Sequence, residues 1–247
     1  MSENILILGA TSAIARACAE IFASEGATLI LAGRDVPEIE LIAADLRVRF
    51  GATVHIESFD ATQYGDHAAF FQRCLDLTNG KLDGVVFVCG SLADKQAAAV
   101  DFTVARGLIE SNYTSALSIL THAANYLEKQ RAGWICAVSS VAGDRGRQSN
   151  YVYCSAKAGL STYLQGLRNR LFPSGIAVID VKPGFIDTAM TFGLPGVFLV
   201  ASPEKAARDV RRAIRKRKNV IYTPWFWRWI MFIIKSIPEP IFKRMKL

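Results

Sequence analysis

The sequence predicts a single α/β domain, a doubly wound parallel sheet with helices on both faces. Three observations predict it. Short apolar runs of strand length alternate with segments whose apolar residues recur every three or four positions. The first apolar run passes through a small-residue turn straight into a helix. The 247 residues, 51% of them hydrophobic, suffice for one sizeable core.

The elements follow in order. Asn4-Ile5-Leu6-Ile7-Leu8 is the first strand. Gly9-Ala10-Thr11-Ser12-Ala13-Ile14-Ala15 turns into a helix that runs through Arg16–Ala23 and stops by Gly26. A strand, a small-residue turn and a helix N-terminus form an anion site from backbone N–H groups and the helix dipole. Residues 28–32 make a second buried strand and 37–50 a helix with Ile39, Leu41, Ile42, Leu46 and Phe50 apolar. Strands at 53–56 and 85–88 enclose a helix at 66–77, and one long helix is expected through Asn112 to Lys129. Residues 133–138 form the next strand, which Ser140 ends. Tyr153 and Lys157 then fall four apart on a helix, so their side chains share a face. A strand at 176–181 and a helix at 204–216 complete the alternation.

Tyr153 and Lys157 carry chemistry. A phenol near pKa ~10 is a poor donor at neutral pH, and a neighbouring ammonium favours its ionised form. With the Ser140 hydroxyl to orient a carbonyl oxygen, they suit carbonyl reduction. The second strand ends in Gly33-Arg34 where an acidic residue would bind the ribose 2′-hydroxyl of NAD. Arg34 can pair with a 2′-phosphate, which favours NADPH; stacking on adenine in an enzyme that also takes NADH is the alternative. Asp35 is expected to turn away at the next helix start. Cys18, Cys74, Cys89, Cys136 and Cys154 show no metal spacing and no disulfide framework, and no metal site is expected. His55, His67 and His122 read as structural or exposed. Met1–Asn4 lacks signal-peptide character, which places the body of the protein in the cytoplasm.

On these residues the chain resembles the short-chain dehydrogenase/reductases across nearly its whole length. Gly9, Ala13 and Ala15 match that family's Thr-Gly-x-x-x-Gly-x-Gly turn, with alanines at the second and third glycines. Phe87-Val88-Cys89-Gly90 stands where the family usually has Asn-Asn-Ala-Gly. The resemblance implies a Rossmann-type fold and a tetrad of Asn112, Ser140, Tyr153 and Lys157. It implies cofactor contacts from Gly9, Thr11, Ser12, Ala13, Ile14, Arg34, Asp60, Ala61, Cys89 and Gly90. Tyr153 and Lys157 join these, with Pro183, Gly184, Ile186 and Thr188 against the nicotinamide. A homo-dimer or homo-tetramer is expected.

Residues 183–202 read as a substrate lid, apolar at Met190, Phe192, Leu194, Pro195, Val197, Phe198, Leu199 and Val200. Such a cover suits a hydrophobic or lipid-linked ketone; an apolar helix docked on the core is the equal alternative. Residues 204–247 hold 13 Lys/Arg against 3 Asp/Glu, a net +10, and the chain total of +7 leaves −3 for residues 1–203. Basicity is therefore local. It flanks residues 224–234, which include Trp225, Trp227 and Trp229. We divide the chain into a catalytic domain at 1–222 and a tail at 223–247. The tail suits peripheral contact with the anionic, cytoplasmic face of a membrane, or an oligomer or sheet-capping contact. The run is too short to span, and nothing accompanies it that reads nucleic acid. Within the family, the stretch 139–153 and the ending 236–244 resemble decaprenylphosphoryl-2-keto-ribose reductases, which implies a keto-sugar on a polyprenyl phosphate; a small soluble ketone, or a non-catalytic NADPH-binding scaffold, stays open.

Overall fold

The computed structural model describes residues 2–92, 95–189, 191–192 and 198–245. Its centre is a seven-stranded sheet in the order β3-β2-β1-β4-β5-β6-β7, with every neighbouring pair parallel. The strands are β1 (Asn4–Leu8), β2 (Thr28–Gly33), β3 (Val54–Ser58), β4 (Gly84–Phe87), β5 (Trp134–Val138), β6 (Ala177–Pro183) and β7 (Val220–Thr223). Alternate residues of one strand face opposite layers, so a doubly covered sheet needs apolar residues throughout. Ile5 and Ile7 accordingly pack into one core layer, and Leu6 and Leu8 into the other.

The first layer includes α1 (Ala13–Ser24) and α2 (Val36–Phe50). Asp35 caps α2, accepting from the Glu38 N–H at 3.2 Å, and so is engaged away from the end of β2 as expected. The opposite layer includes α3 (His67–Asp76). The short α4 (Lys95–Val100) precedes α5 (Phe102–Ile109), and α6 (Ser115–Gln130) and α7 (Tyr151–Leu171) complete that side. The helix α8 (Pro203–Arg215) returns to the first layer and packs on α1. The chain ends in α9 (Trp227–Ser236) and α10 (Glu239–Phe242).

Three features add to the expectation or differ from it. The long helix through Asn112 is broken by one π-helical turn at Glu110–Thr114, between α5 and α6. Such a turn re-aims side chains at a fixed point. Second, β7 was not anticipated. It is a four-residue edge strand directly after a basic run, too short for a legible alternation, and it pairs Asp180 with Val220 through Pro183 with Thr223.

Third, the segment after residue 222 is bound to the domain. Trp227 and Met231 are 3% and 1% exposed and cluster with Val141, with Phe185 and Tyr222 packed against them. Arg145 donates to the carbonyls of Ile234 and Ile237 at 2.7 and 2.6 Å, pairs with Glu239 at 2.9 Å, and lies 3.6 Å over the Phe242 ring. Of the apolar lid residues, Met190, Leu194, Pro195 and Val197 lie outside the described residues. Phe192, Phe198, Leu199 and Val200 are exposed. Among the described residues no helix is long and apolar enough to cross a membrane.

Candidate active site

Between β1 and β4 the strand order reverses, and in such sheets the crevice beyond the strand ends receives ligands. Gly9 lies there at φ +83°, a conformation that L side chains rarely adopt, and a Cβ on it would lie 3.0 Å from the Cys89 backbone nitrogen. Its N–H and that of Ala10 both donate to the Ala32 carbonyl, which fixes the turn. Ser12 caps α1, its Oγ accepting from the Ala15 N–H at 3.2 Å. The first turn of α1 holds no acidic residue, so the positive end of its dipole is left for an anion beside Thr11, Ala13 and Ile14. This cradle fits a dinucleotide pyrophosphate. The alanine at 15 does not block it, since it is fully buried in the core rather than on the open side.

The adenosine end is marked by Arg34 and Asp60. Arg34 is exposed beyond β2, and no carboxylate pairs with it among the described residues. Asp60 accepts from the Thr62 N–H and hydroxyl at 2.9 and 2.8 Å. That backbone donor foremost holds its carboxyl below the usual range, with Arg34 adding a weaker pull. Ala61 follows in the same turn. Two residues support this end, of which only Arg16 escaped the sequence reading. Arg16 sits in the first turn of α1, held between the Thr11 carbonyl at 3.3 Å and the Glu38 carboxylate. A cation where helices favour acids was the available signal. His67, read as structural, is buried and bridges the Asp60 carbonyl at 3.1 Å to the Ser118 hydroxyl at 2.8 Å.

The reacting groups converge from three elements. Ser140 lies two residues beyond β5, in extended backbone, and caps a short turn at Val141–Asp144 by accepting from the Ala142 N–H at 3.0 Å. Gly143 lets that turn touch α7, since a Cβ there would lie 2.7 Å from the Lys157 carbonyl carbon. Tyr153 and Lys157 are on α7, with the Lys157 Nζ 5.7 Å from the Tyr153 ring centroid. Burial pushes the Tyr153 phenol up to about 12, with the Ser140 hydroxyl pulling the other way.

The expected lowering of the phenol by the ammonium is not found: burial raises Tyr153, and the groups acting on it are Ser140, Cys154 and Arg147. Lys157, 4% exposed, donates to the Val138 carbonyl at 3.2 Å. Burial pulls it down to about 8, offset by Cys89 and Asp180.

Asn112 enters through the π-helical turn. It is fully buried and its Nδ2 donates to the Ser91 and Leu108 carbonyls at 2.8 and 3.0 Å. Its Oδ1 has no hydrogen-bond partner among the described residues, although buried acceptors nearly always find one. Gly90 separates it from Lys157: a Cβ there would lie 2.6 Å from Oδ1 and 3.3 Å from Nζ. The structure thus gathers Asn112, Lys157 and Gly90 in one place and leaves an acceptor open there. Cys89, which stands at the alanine of the family pattern, is a close-packed thiol pushed up to about 12 by burial. On the far side, Pro183 ends β6 and Gly184 lies under Trp227, where a Cβ would come within 1.9 Å of the indole nitrogen. Ile186 bridges to Ala201, closing the base of the lid, and the Thr188 N–H donates to the Thr191 hydroxyl at 3.2 Å. No group of three or more potential metal ligands occurs among the described residues.

Known proteins agree with this geometry. The short chain dehydrogenase family pattern matches residues 3–194. An uncharacterized oxidoreductase of Mycobacterium tuberculosis is 33% identical over 241 residues, covering 98% of this chain and 96% of its own. The 3-oxoacyl-[acyl-carrier-protein] reductase of Aquifex aeolicus is 29% identical, covering 75% of each chain. Among solved structures, a short-chain dehydrogenase from Sphingobium yanoikuyae in complex with NADPH superimposes with a TM-score of 0.80 at 25% identity, over 96% of this chain and 97% of its own. A strand-order switch over a glycine turn, with Ser140, Tyr153 and Lys157 at its mouth, and these likenesses lead to one conclusion: the chain belongs to the short-chain dehydrogenase/reductase family and is an NAD(P)-dependent oxidoreductase.

Proposed function

We propose that this enzyme reduces a ketone to an alcohol with NADPH, on a hydrophobic or lipid-linked substrate, with a keto-sugar on a polyprenyl phosphate as the leading candidate. The observation that carries the reaction is the Tyr153 ring on α7 with the buried Lys157 ammonium 5.7 Å from its centroid, and Ser140 at the head of the turn that packs on that helix. A nicotinamide cofactor supplies the hydride when bound. The chain supplies the rest. Ser140 Oγ binds the carbonyl oxygen, and Tyr153 Oη gives its proton to the alkoxide that forms there. A phenol held near 12 stays protonated through the physiological range, which suits a donor. Lys157 holds the cofactor ribose and lends positive charge, and the open Oδ1 of Asn112 anchors a water that leads to Lys157.

Gly9, Thr11, Ser12, Ala13 and Ile14 would hold the pyrophosphate, and Asp60 and Ala61 the adenine. Cys89, Gly90, Pro183, Gly184, Ile186 and Thr188 would line the nicotinamide end. Arg34, exposed and without a carboxylate partner, favours NADPH over NADH. The NADPH complex of the Sphingobium relative supports that choice.

Two exposed apolar groups favour a lipid-borne substrate. Trp225, Trp229, Phe232, Ile233 and Ile241 are 57–68% exposed around a helix whose other face covers Gly184. Phe198, itself half-exposed, packs on Trp227 and Phe185, so the lid and the helix meet. The charge argument needs revision, however. Arg211 is paired with Glu3 and Glu25, and Arg215 with Glu25. The run at 215–218 precedes β7 while α9 follows it, so the two lie at opposite ends of the sheet. The cations beside the aromatic face are Arg228, Lys235, Lys243 and Arg244, each contributing about 1 kcal/mol near an anionic surface.

Vesicle co-sedimentation tests the membrane reading on the full chain, since ending it at Tyr222 would strip Trp227 and Met231 from the core. Vesicles with anionic phospholipid should pellet the wild type at low salt and release W229S/F232S/I233S, with small-ketone turnover retained. A wild type that ignores these vesicles would favour an oligomer contact, visible as a dimer or tetramer that the same substitutions dissociate. Turnover of small ketones alone, with no activity on polyprenyl-phosphate keto-sugars or 3-keto lipids, would remove the lipid substrate.

A further inference from the structure

Below Ser140 runs a chain of buried polar groups that the family motifs do not include. Lys182, the residue before Pro183, donates to Asp144 Oδ1 at 2.5 Å and lies 3.8 Å from Asp180. The three side chains are 10%, 2% and 0% exposed. Tyr222 on the edge strand donates to the other oxygen of Asp144 at 2.7 Å. Ser139 donates to Asp180 at 2.5 Å. Asp144 closes the short turn that Ser140 opens, so this network binds both ends of the turn. It holds Ser139 at the end of β5 and Asp144 three residues beyond Val141, and anchors both on β6 and β7.

We infer that Asp144 and Lys182 are positioning residues for Ser140: their ion pair, steadied by Tyr222, fixes the turn whose first residue presents the carbonyl-binding hydroxyl. The inference rests on the reading of Ser140 as that group. Its physical basis is the character of buried ion pairs. Removing two charges from water offsets most of their attraction, so such a pair is a poor source of stability and a strong source of orientation. An apolar contact would hold the turn on the domain without setting its angle. An ion pair with a third hydrogen bond fixes direction at both carboxylate oxygens. The same turn also carries Val141 against Trp227 and Gly143 against Lys157, so an error in its tilt would reach three parts of the site.

The experiment separates orientation from stability. D144N leaves the Lys182 ammonium with only the more distant Asp180 carboxylate and should lower both the thermal midpoint and kcat. The double variant D144N/K182M removes both charges of that pair, and Asp180, whose carboxyl burial already holds above its usual range, is free to take up a proton, so most of the thermal midpoint should return. If the pair positions Ser140, kcat of the double variant stays down by about tenfold or more while NADPH affinity changes less than about threefold. K182R, which keeps the ion pair, should restore kcat to within about threefold of wild type. Recovery of kcat together with the thermal midpoint in D144N/K182M would overturn the inference.

Amide hydrogen exchange on the peptide 139–147 reads the same question without turnover. It should accelerate by about tenfold or more in the double variant with the rest of the chain unchanged, and unchanged exchange there would overturn the inference as well. A wild type that reduces no ketone tested would sink the proposed function while leaving the exchange result to decide this one. Should the double variant fail to fold, Y222F removes a single hydrogen bond from the same carboxylate. Faster exchange at 139–147 in Y222F would support the inference, and exchange identical to wild type would refute it.

Discussion

Replacing Lys157 with methionine should abolish reduction and at the same time make the free enzyme more stable at neutral pH. The ammonium is 4% exposed, and burial pulls its pKa from 10.5 to about 8. At about 1.36 kcal/mol per pKa unit, keeping that charge inside the folded chain below pH 8 costs about 3 kcal/mol. Methionine has nearly the same length and no charge, but it leaves the Val138 carbonyl unpaired, a loss of about 1 kcal/mol. The expected gain is thus about 2 kcal/mol, or roughly 4–8 °C in thermal midpoint for a chain of this size. The direction with pH follows from proton counting. The unfolded chain keeps the lysine proton up to 10.5 while the folded chain releases it near 8, so the unfolded state binds more protons between those values. Wild-type stability from this group therefore rises through that window, and the advantage of the variant fades across it. Thermal or urea unfolding of both proteins without NADPH, at pH 7 and at pH 10.5, measures the gap. A variant less stable than wild type at pH 7, or a gap of equal size at both values, would refute the burial argument.

Tyr153→Phe should lower kcat by at least about 10²-fold while NADPH, followed by its fluorescence, still binds as in the wild type. Turnover within a few-fold of wild type would remove Tyr153 as the proton donor. Arg34→Ala should weaken NADPH about 10- to 100-fold and leave NADH within about twofold, since only NADPH carries the 2′-phosphate; equal losses would mean that Arg34 stacks instead. Gly184→Ala drives a methyl to within 1.9 Å of the Trp227 indole nitrogen and should cost about 1–3 kcal/mol in urea unfolding. Adding Trp227→Leu should relieve the clash, so the double variant should lose less than the two single losses summed. Strict additivity would show that the indole is not what Gly184 accommodates.

Much of this protein was legible before its structure, and the legible parts share one property: each is written in consecutive residues. Residues 5–8 are apolar throughout because β1 is buried on both faces, and the small-residue turn opening at Gly9 follows directly. Tyr153 and Lys157 meet because one helical turn brings them together. Each of these depends on local geometry, which spacing reports directly. The sequence also placed Asp35 on the next helix, because a side chain capping its own helix start is again a local event.

Tertiary structure alone decided the rest. Periodicity tells which face of an element is buried and is silent on what covers it. The run at 224–234 therefore read as one aromatic segment, whereas packing divided it, placing Trp227 and Met231 in the core and Trp229 and Phe232 outside. The basic run read as its companion because it is near in sequence, yet β7 lies between them and carries them to opposite ends of the sheet. Asp144 and Lys182 are 38 positions apart, and nothing short of the sheet brings them into contact. Sequence by itself determined most of the strands and helices and named the residues proposed to do the chemistry, because hydrophobic spacing and helical geometry act over a few residues. Only the tertiary structure decided which charges are paired, which aromatics are buried and how Ser140 is held, because those depend on contacts between residues that the chain keeps far apart.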